Sequence, residues 1–158
     1  MIDIKNKLLH VIGIAIISNV GSNPSTVSNN TKMKTLIWLD DVRNPHTNDW
    51  LRFSPLEKPF DTVWLKSYKA FTEWITENGL PDGICFDHDL ADFYYNPEKY
   101  QETVIWHEKT GYDCAKWVVD YCIDNEVDLP KWYTQSANEV GKENIDKYLI
   151  NYMKSSNS

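Results

Sequence analysis

Three short stretches of this chain carry side chains that can do chemistry together. Asp87-His88-Asp89 follows the apolar run Ile84-Cys85-Phe86, Asp40-Asp41-Val42-Arg43 follows Lys34–Leu39, and Gln135-Ser136-Ala137-Asn138 follows Lys131–Thr134. Paired carboxylates such as Asp40 and Asp41 repel each other and each hold a proton more tightly unless a cation lies between them, so a hard divalent ion suits them. The alternative is a solvated acidic turn with Arg43 as its ion pair. Asp87, the first residue out of its run, is a candidate metal ligand or nucleophile. The imidazole of His88 can give a proton to a leaving oxygen or take one from water. Asp89 can orient that imidazole or close the turn. Ser136 and Asn138 are short donors suited to a phosphoryl oxygen, and are equally ordinary helix caps. Thr110-Gly111 is similar: a glycine there lets a backbone approach an anion, and a threonine there caps a helix.

These groups need elements to position them, and the apolar pattern supplies those elements. Lys34–Asp40, Thr62–Leu65, Ile84–Phe86 and Lys131–Thr134 read as short buried strands, each bounded by breakers. Ser67 precedes a run with Tyr68, Phe71, Trp74 and Ile75 at helical spacing, ended by Gly79 and Pro81. Thr110 precedes a second, in which Cys114, Trp117, Val118, Tyr121 and Cys122 share a face. Ile145, Leu149 and Tyr152 mark a last helix. The prolines at 45, 55 and 59 argue against a helix between the first two strands. Residues 90–109 carry many aromatics and no dominant period, as a lid or binding loop would. Strands alternating with helices predict a parallel α/β sheet covered on both faces, with ligands bound beyond the carboxyl ends of its strands. That rule gathers the three polar stretches at one edge.

Composition narrows the classes of partner. The 158 residues, 42% hydrophobic, suffice for one core, and the net charge of −7 gives no basic track for an extended nucleic acid. A small anionic ligand held locally by a metal or an arginine stays open. Three cysteines without metal spacing are expected to be buried thiols in a reducing compartment, the cytoplasm. Residues 1–32 differ from the rest, with an apolar stretch at Leu8–Val20 and then a Ser/Asn/Thr-rich tract. The stretch is short for a membrane span, and Asp3 and the missing small-x-small site argue against a secretory leader. It is expected to be an extension outside the core, with Met33 as an alternative start and the working domain at 33–154. His10, His46 and His107 are assigned no role.

With those residues in hand, the chain resembles the cyclic-phosphate processing receiver-like domain family, related to response-regulator receivers. The resemblance rests on LDDVRNP (39–45), DHDL (87–90), TGYD (110–113) and SANEVGKENI (136–145), in order from Lys34 to about Met153. It implies a receiver-like, flavodoxin-like three-layer fold with a mainly parallel central sheet. It also implies metal-dependent action, with Mg²⁺ or Mn²⁺, on the cyclic phosphate of a small nucleotide or an RNA end. The positions it implicates are Asp40, Asp41 and Asp87 for the metal, Asp87, His88 and Asp89 for catalysis, and Arg43, Gln135, Ser136 and Asn138 for the phosphate. Gln135 departs from the pattern, which often has a histidine there, and glutamine cannot transfer a proton near neutral pH. Two other readings remain: a receiver phosphorylated on Asp87, with Ser136 as switch hydroxyl, and a non-catalytic nucleotide-binding module. Receivers of that kind place a lysine at the end of a fifth strand, whereas Lys142, Lys147 and Lys154 fall on the last helix.

Overall fold

The computed structural model describes residues 32–90 and 109–156. The extension before Lys32 and the aromatic segment 91–108, with His107, lie outside the described residues. The described elements are β1 (Lys34–Leu39), β2 (Phe60–Leu65), α1 (Tyr68–Asn78), β3 (Gly83–Phe86), α2 (Gly111–Asn125), β4 (Lys131–Thr134) and α3 (Glu139–Ser156). The four strands form one parallel sheet in the order β2-β1-β3-β4. This is the parallel α/β sheet expected from the alternation of apolar strands and amphipathic helices, and it is consistent with the receiver-like fold that the resemblance implies.

Local signals set the helix boundaries. Ser67 caps α1 by accepting a hydrogen bond from the Ala70 amide, and Gly79, at φ 82°, ends it in a conformation that glycine adopts without strain. Thr110 and Asp113 cap α2 reciprocally, each side chain bonding the other's backbone amide. Two boundaries differ from the sequence reading. β2 begins at Phe60, because pairing with β1 starts at Lys34↔Phe60 and carries two more residues into the ladder. The proline-rich connection holds a 3-10 turn at Trp50–Phe53, short enough to fit between the breakers.

Alternation along the strands divides the core. Ile37, Leu39, Ile84 and Phe86 pack with α1, α2 and α3 through Phe71, Ile75, Cys114, Val118, Ile145 and Leu149. Leu36, Trp38 and Cys85 face the other way, against Leu56, Trp50 and Leu51 of the β1–β2 connection. Among the described residues, that second face is therefore covered by the connection with its 3-10 turn, while the three helices lie on the first. The chain passes from β1 to β2 over one face, then back across β1 to β3 and on to β4 over the opposite face. Reversing direction and face together keeps one crossover hand, as parallel sheets require. Strand order reverses between β1 and β3, so a crevice opens at their carboxyl ends.

Cys85, Cys114 and Cys122 are all buried and none is in a disulfide, as expected. Burial pushes the Cys85 thiol up to about 12 and the Cys122 thiol up to about 11, which leaves both protonated and unreactive at neutral pH. No helix among the described residues is long and apolar enough to cross a membrane.

Candidate functional site

The strand register carries the acidic residues to one row. Leu39 pairs with Leu65 and with Phe86, and Phe86 pairs with Thr134. One residue further on, the amides of Asp40, Asp87 and Gln135 donate to the carbonyls of Leu65, Leu39 and Phe86. The ladder thus extends past the strand ends and holds three side chains side by side at the crevice. Because side chains alternate, Asp40, Asp87 and Gln135 all project from the face opposite the helices, toward the loop that carries Arg43.

Asp40 is fully buried and lies at the centre of this loop. Its Oδ1 accepts hydrogen bonds from the amides of Val42 (3.0 Å) and Arg43 (2.6 Å), which folds Asp40–Arg43 into a tight turn. Its Oδ2 accepts from Arg43 Nε at 2.6 Å and from Gln135 Nε2 at 3.3 Å. Two indoles hold the same loop from the sheet: Trp64 Nε1 donates to the Asp40 carbonyl and Trp38 Nε1 to the Arg43 carbonyl. The Arg43 guanidinium then reaches across the crevice. Its Nη2 lies 2.8 Å from Asp87 Oδ2, and its Nη1 donates to the Gln135 carbonyl at 3.0 Å.

Burial pushes the Asp40 carboxyl above its ordinary value and Asp87 adds to this, outweighing the opposing amide bonds and Arg43. Arg43 loses some of its solvation by burial, yet its pairs with Asp87 and Asp40 hold the guanidinium above its usual value. One ligand oxygen from each of Asp40, Asp41 and Asp87 falls within a 4.8 Å span. Three hard oxygens so close suit a divalent cation of the magnesium or manganese type. Arg43 shows that the position draws positive charge.

His88 points to the other side, where helix starts enclose it. Its Nδ1 lies 2.8 Å from Asp89 Oδ1. A carboxylate can only accept, so Nδ1–H donates and Nε2 is the ring nitrogen left for chemistry. The bond from His88 holds the exposed Asp89 carboxyl below its ordinary range, and a further bond from Asn138 supports it. Asn138 does two jobs: its Oδ1 caps α3 by accepting from the Gly141 amide at 2.9 Å, which turns its Nδ2 toward Asp89 and the imidazole. The capping and functional readings of Asn138 are therefore compatible. Ser136, also buried, accepts from the Asn138 amide through Oγ, which leaves its own O–H to donate.

Two glycines make this packing possible. A Cβ on Gly111 would overlap the Asp87 carbonyl oxygen and lie 2.8 Å from its carbon, and the Gly111 amide donates to the His88 carbonyl at 2.8 Å. Gly111 thus lets a backbone approach closely, as its place before the helix suggests, but that backbone is the Asp87-His88 turn. A Cβ on Gly141 would lie 2.7 Å from His88 Nδ1 and closer still to Cγ and Cδ2. Nothing in the sequence singles out Gly141, Trp38 or Trp64, because their partners are remote in the chain.

Compared with known protein families, residues 35–151 match the cyclic-phosphate processing receiver domain. The chain belongs to this family. No curated protein and no solved structure matches it. Of the residues expected to form the site, the structure brings Asp40, Asp41, Asp87, Arg43 and Gln135 together on one side of the crevice. It brings His88, Asp89, Asn138 and Ser136 together on the other, where α3 begins. Gln135 does not face His88: its partners are Asp40 and Arg43. In this cyclic-phosphate processing receiver domain the departure at position 135 therefore falls on the acidic half of the site.

Proposed function

We propose that the domain is a metal-dependent phosphoesterase that opens the cyclic phosphate of a small nucleotide or an RNA end. The observation that carries this is an imidazole held by Asp89, which Asn138 holds in turn, on the residue directly after Asp87 of the three-carboxylate cluster. Asp40, Asp41 and Asp87 would hold a divalent ion, Mg²⁺ or Mn²⁺, which would supply charge to offset the phosphoryl oxygens.

The chain's own groups do the rest. Ring opening adds the oxygen of water to phosphorus and breaks the bond from phosphorus to a ribose oxygen. That oxygen leaves with a proton, which His88 Nε2 delivers while Asp89 steadies the charged imidazole; the attacking water keeps one proton on phosphate and releases the other to solvent, from which the imidazole is recharged. The Ser136 hydroxyl, the Asn138 amide and Arg43 offer donors to the phosphoryl oxygens, with Gln135 beside them. The acidic surface favours a small nucleotide over a long polyanion. Buried thiols outside any disulfide accord with a reducing, cytoplasmic setting.

The test is a panel of cyclic phosphates assayed with and without Mg²⁺ and Mn²⁺. Turnover should depend on metal, vanish in Asp87→Asn and fall about a hundredfold or more in His88→Ala. Full activity in both variants would refute the proposal.

One observation favours a second reading. Arg43 gives Asp87 a cationic partner, so a phosphoryl group accepted by Asp87 would not lack one even without a lysine on a fifth strand. Incubation with a small phosphodonor and Mg²⁺ should then add the mass of one phosphate, and none in Asp87→Asn. An unchanged mass rules this reading out.

A further inference from the structure

Asp40 and Asp87 already share a cation, and it belongs to the protein. Arg43 places Nε on Asp40 Oδ2 and Nη2 on Asp87 Oδ2, so one guanidinium bridges the two carboxylates through the oxygens that face each other. The remaining oxygens are also engaged: Asp40 Oδ1 takes two backbone amides and Asp87 Oδ1 takes the His88 amide. A divalent ion entering between Asp40 and Asp87 competes with Arg43 for the same two carboxylates. Two cations a few ångströms apart in a half-buried crevice repel, so each weakens the other's hold on that pair.

Arg43 has somewhere to go. Its side chain is 23% exposed, and it sits on a loop whose backbone is fixed independently by Asp40 Oδ1 and by Trp38. The side chain can therefore leave without unfolding the turn. Three of its five donors serve Asp40, Asp87 and the Gln135 carbonyl.

We infer that Arg43 is an exchangeable internal cation: it occupies the Asp40–Asp87 pair without metal, and a divalent ion displaces it. The inference rests on the metal site proposed above. Loading the ion frees the guanidinium for a phosphoryl group, so metal and anionic substrate each strengthen the other's binding through Arg43. An apo site held this way is partly neutralised, so the two carboxylates repel each other less.

The chain contains two arginines, Arg43 and Arg52, so its Nε–H groups give two assignable nitrogen-15 signals, separated by Arg52→Lys. Mg²⁺ is titrated into the full chain. The Arg43 signal should move from a sheltered position toward that of a solvated arginine, in step with the His88 amide that bonds Asp87. In calorimetry with Mn²⁺, Arg43→Gln should bind about ten- to a hundredfold more tightly than the wild type, because one or two charge-assisted hydrogen bonds no longer have to break. An unmoved Arg43 signal while the His88 amide saturates, or equal or weaker Mn²⁺ binding by Arg43→Gln, overturns the exchange and leaves the metal site standing. No response of the His88 amide and no heat in either protein removes the metal site, and the exchange with it. Should Arg43→Gln fail to fold by circular dichroism, the wild-type titration decides.

Discussion

Gly141→Ala separates the positioning of His88 from the stability of the fold. Gly141 lies in the first turn of α3 and has no positive φ, so alanine is compatible with the backbone there. Helix propensity favours the change by about 1 kcal/mol. The added Cβ would nevertheless stand 2.7 Å from His88 Nδ1, where ordinary contact is 3.4–4 Å. Gly141 is held by its amide bond to Asn138 Oδ1, so the imidazole is the part that yields, by about 1 Å. Such a shift breaks the 2.8 Å bond to Asp89 and withdraws Nε2 from its aim. A displacement of that size at a reacting group costs about a hundredfold in turnover. The expected outcome is a denaturation midpoint within about 1 kcal/mol of the wild type, because the clash and the propensity gain offset each other. Cyclic-phosphate hydrolysis falls about a hundredfold, and the ring nitrogens of His88 shift in the nitrogen-15 spectrum. Unchanged turnover together with unchanged ring signals would refute the placement of His88 against α3.

Gly111→Ala should act on stability instead. Its Cβ would overlap the Asp87 carbonyl, a backbone group that cannot swing away as a side chain can, so chemical denaturation should show a loss of about 3 kcal/mol or an unfolded chain. Asp113→Asn should give a pH-dependent loss. Burial raises the Asp113 carboxyl, but the Lys116 hydrogen bond and the Thr110 amide outweigh it, and its folded value lies below the ordinary 3.8. That stabilisation is complete above 3.8 and is lost as pH falls through the lower, folded value. Urea midpoints of wild type and Asp113→Asn should therefore differ at neutral pH and converge in acid below 3.8. A gap that persists or widens in acid would place the effect elsewhere.

Much of this protein is legible in one dimension because the relevant physics is local. Period-2 and period-3.6 apolar patterns, Ser67 and Thr110 as caps, and Gly79 as a stop each act within a few residues, and the structure has strands and helices where they point. The convergence of Asp40, Asp87 and Gln135 follows from the same patterns, since a parallel sheet aligns its strand ends. The 3-10 turn was hidden among prolines, where the breaker signal outweighs any short helical pattern.

The chain alone determined which chemistry is available: carboxylates, one imidazole and short donors, delivered to the carboxyl edge of a parallel sheet. Tertiary structure alone decided how they are shared out. Arg43 is turned inward onto Asp40 and Asp87, Gln135 is placed with them, and His88 is set against α3 with Asp89 and Asn138. The reason is one of range. Side-chain type, spacing and the local Arg43–Asp40 pair are properties of neighbours, whereas the Arg43–Asp87 pair, the Asn138–Asp89 bond and the close approaches at Gly111 and Gly141 join residues dozens of positions apart, and they exist only once the helices have packed on the sheet.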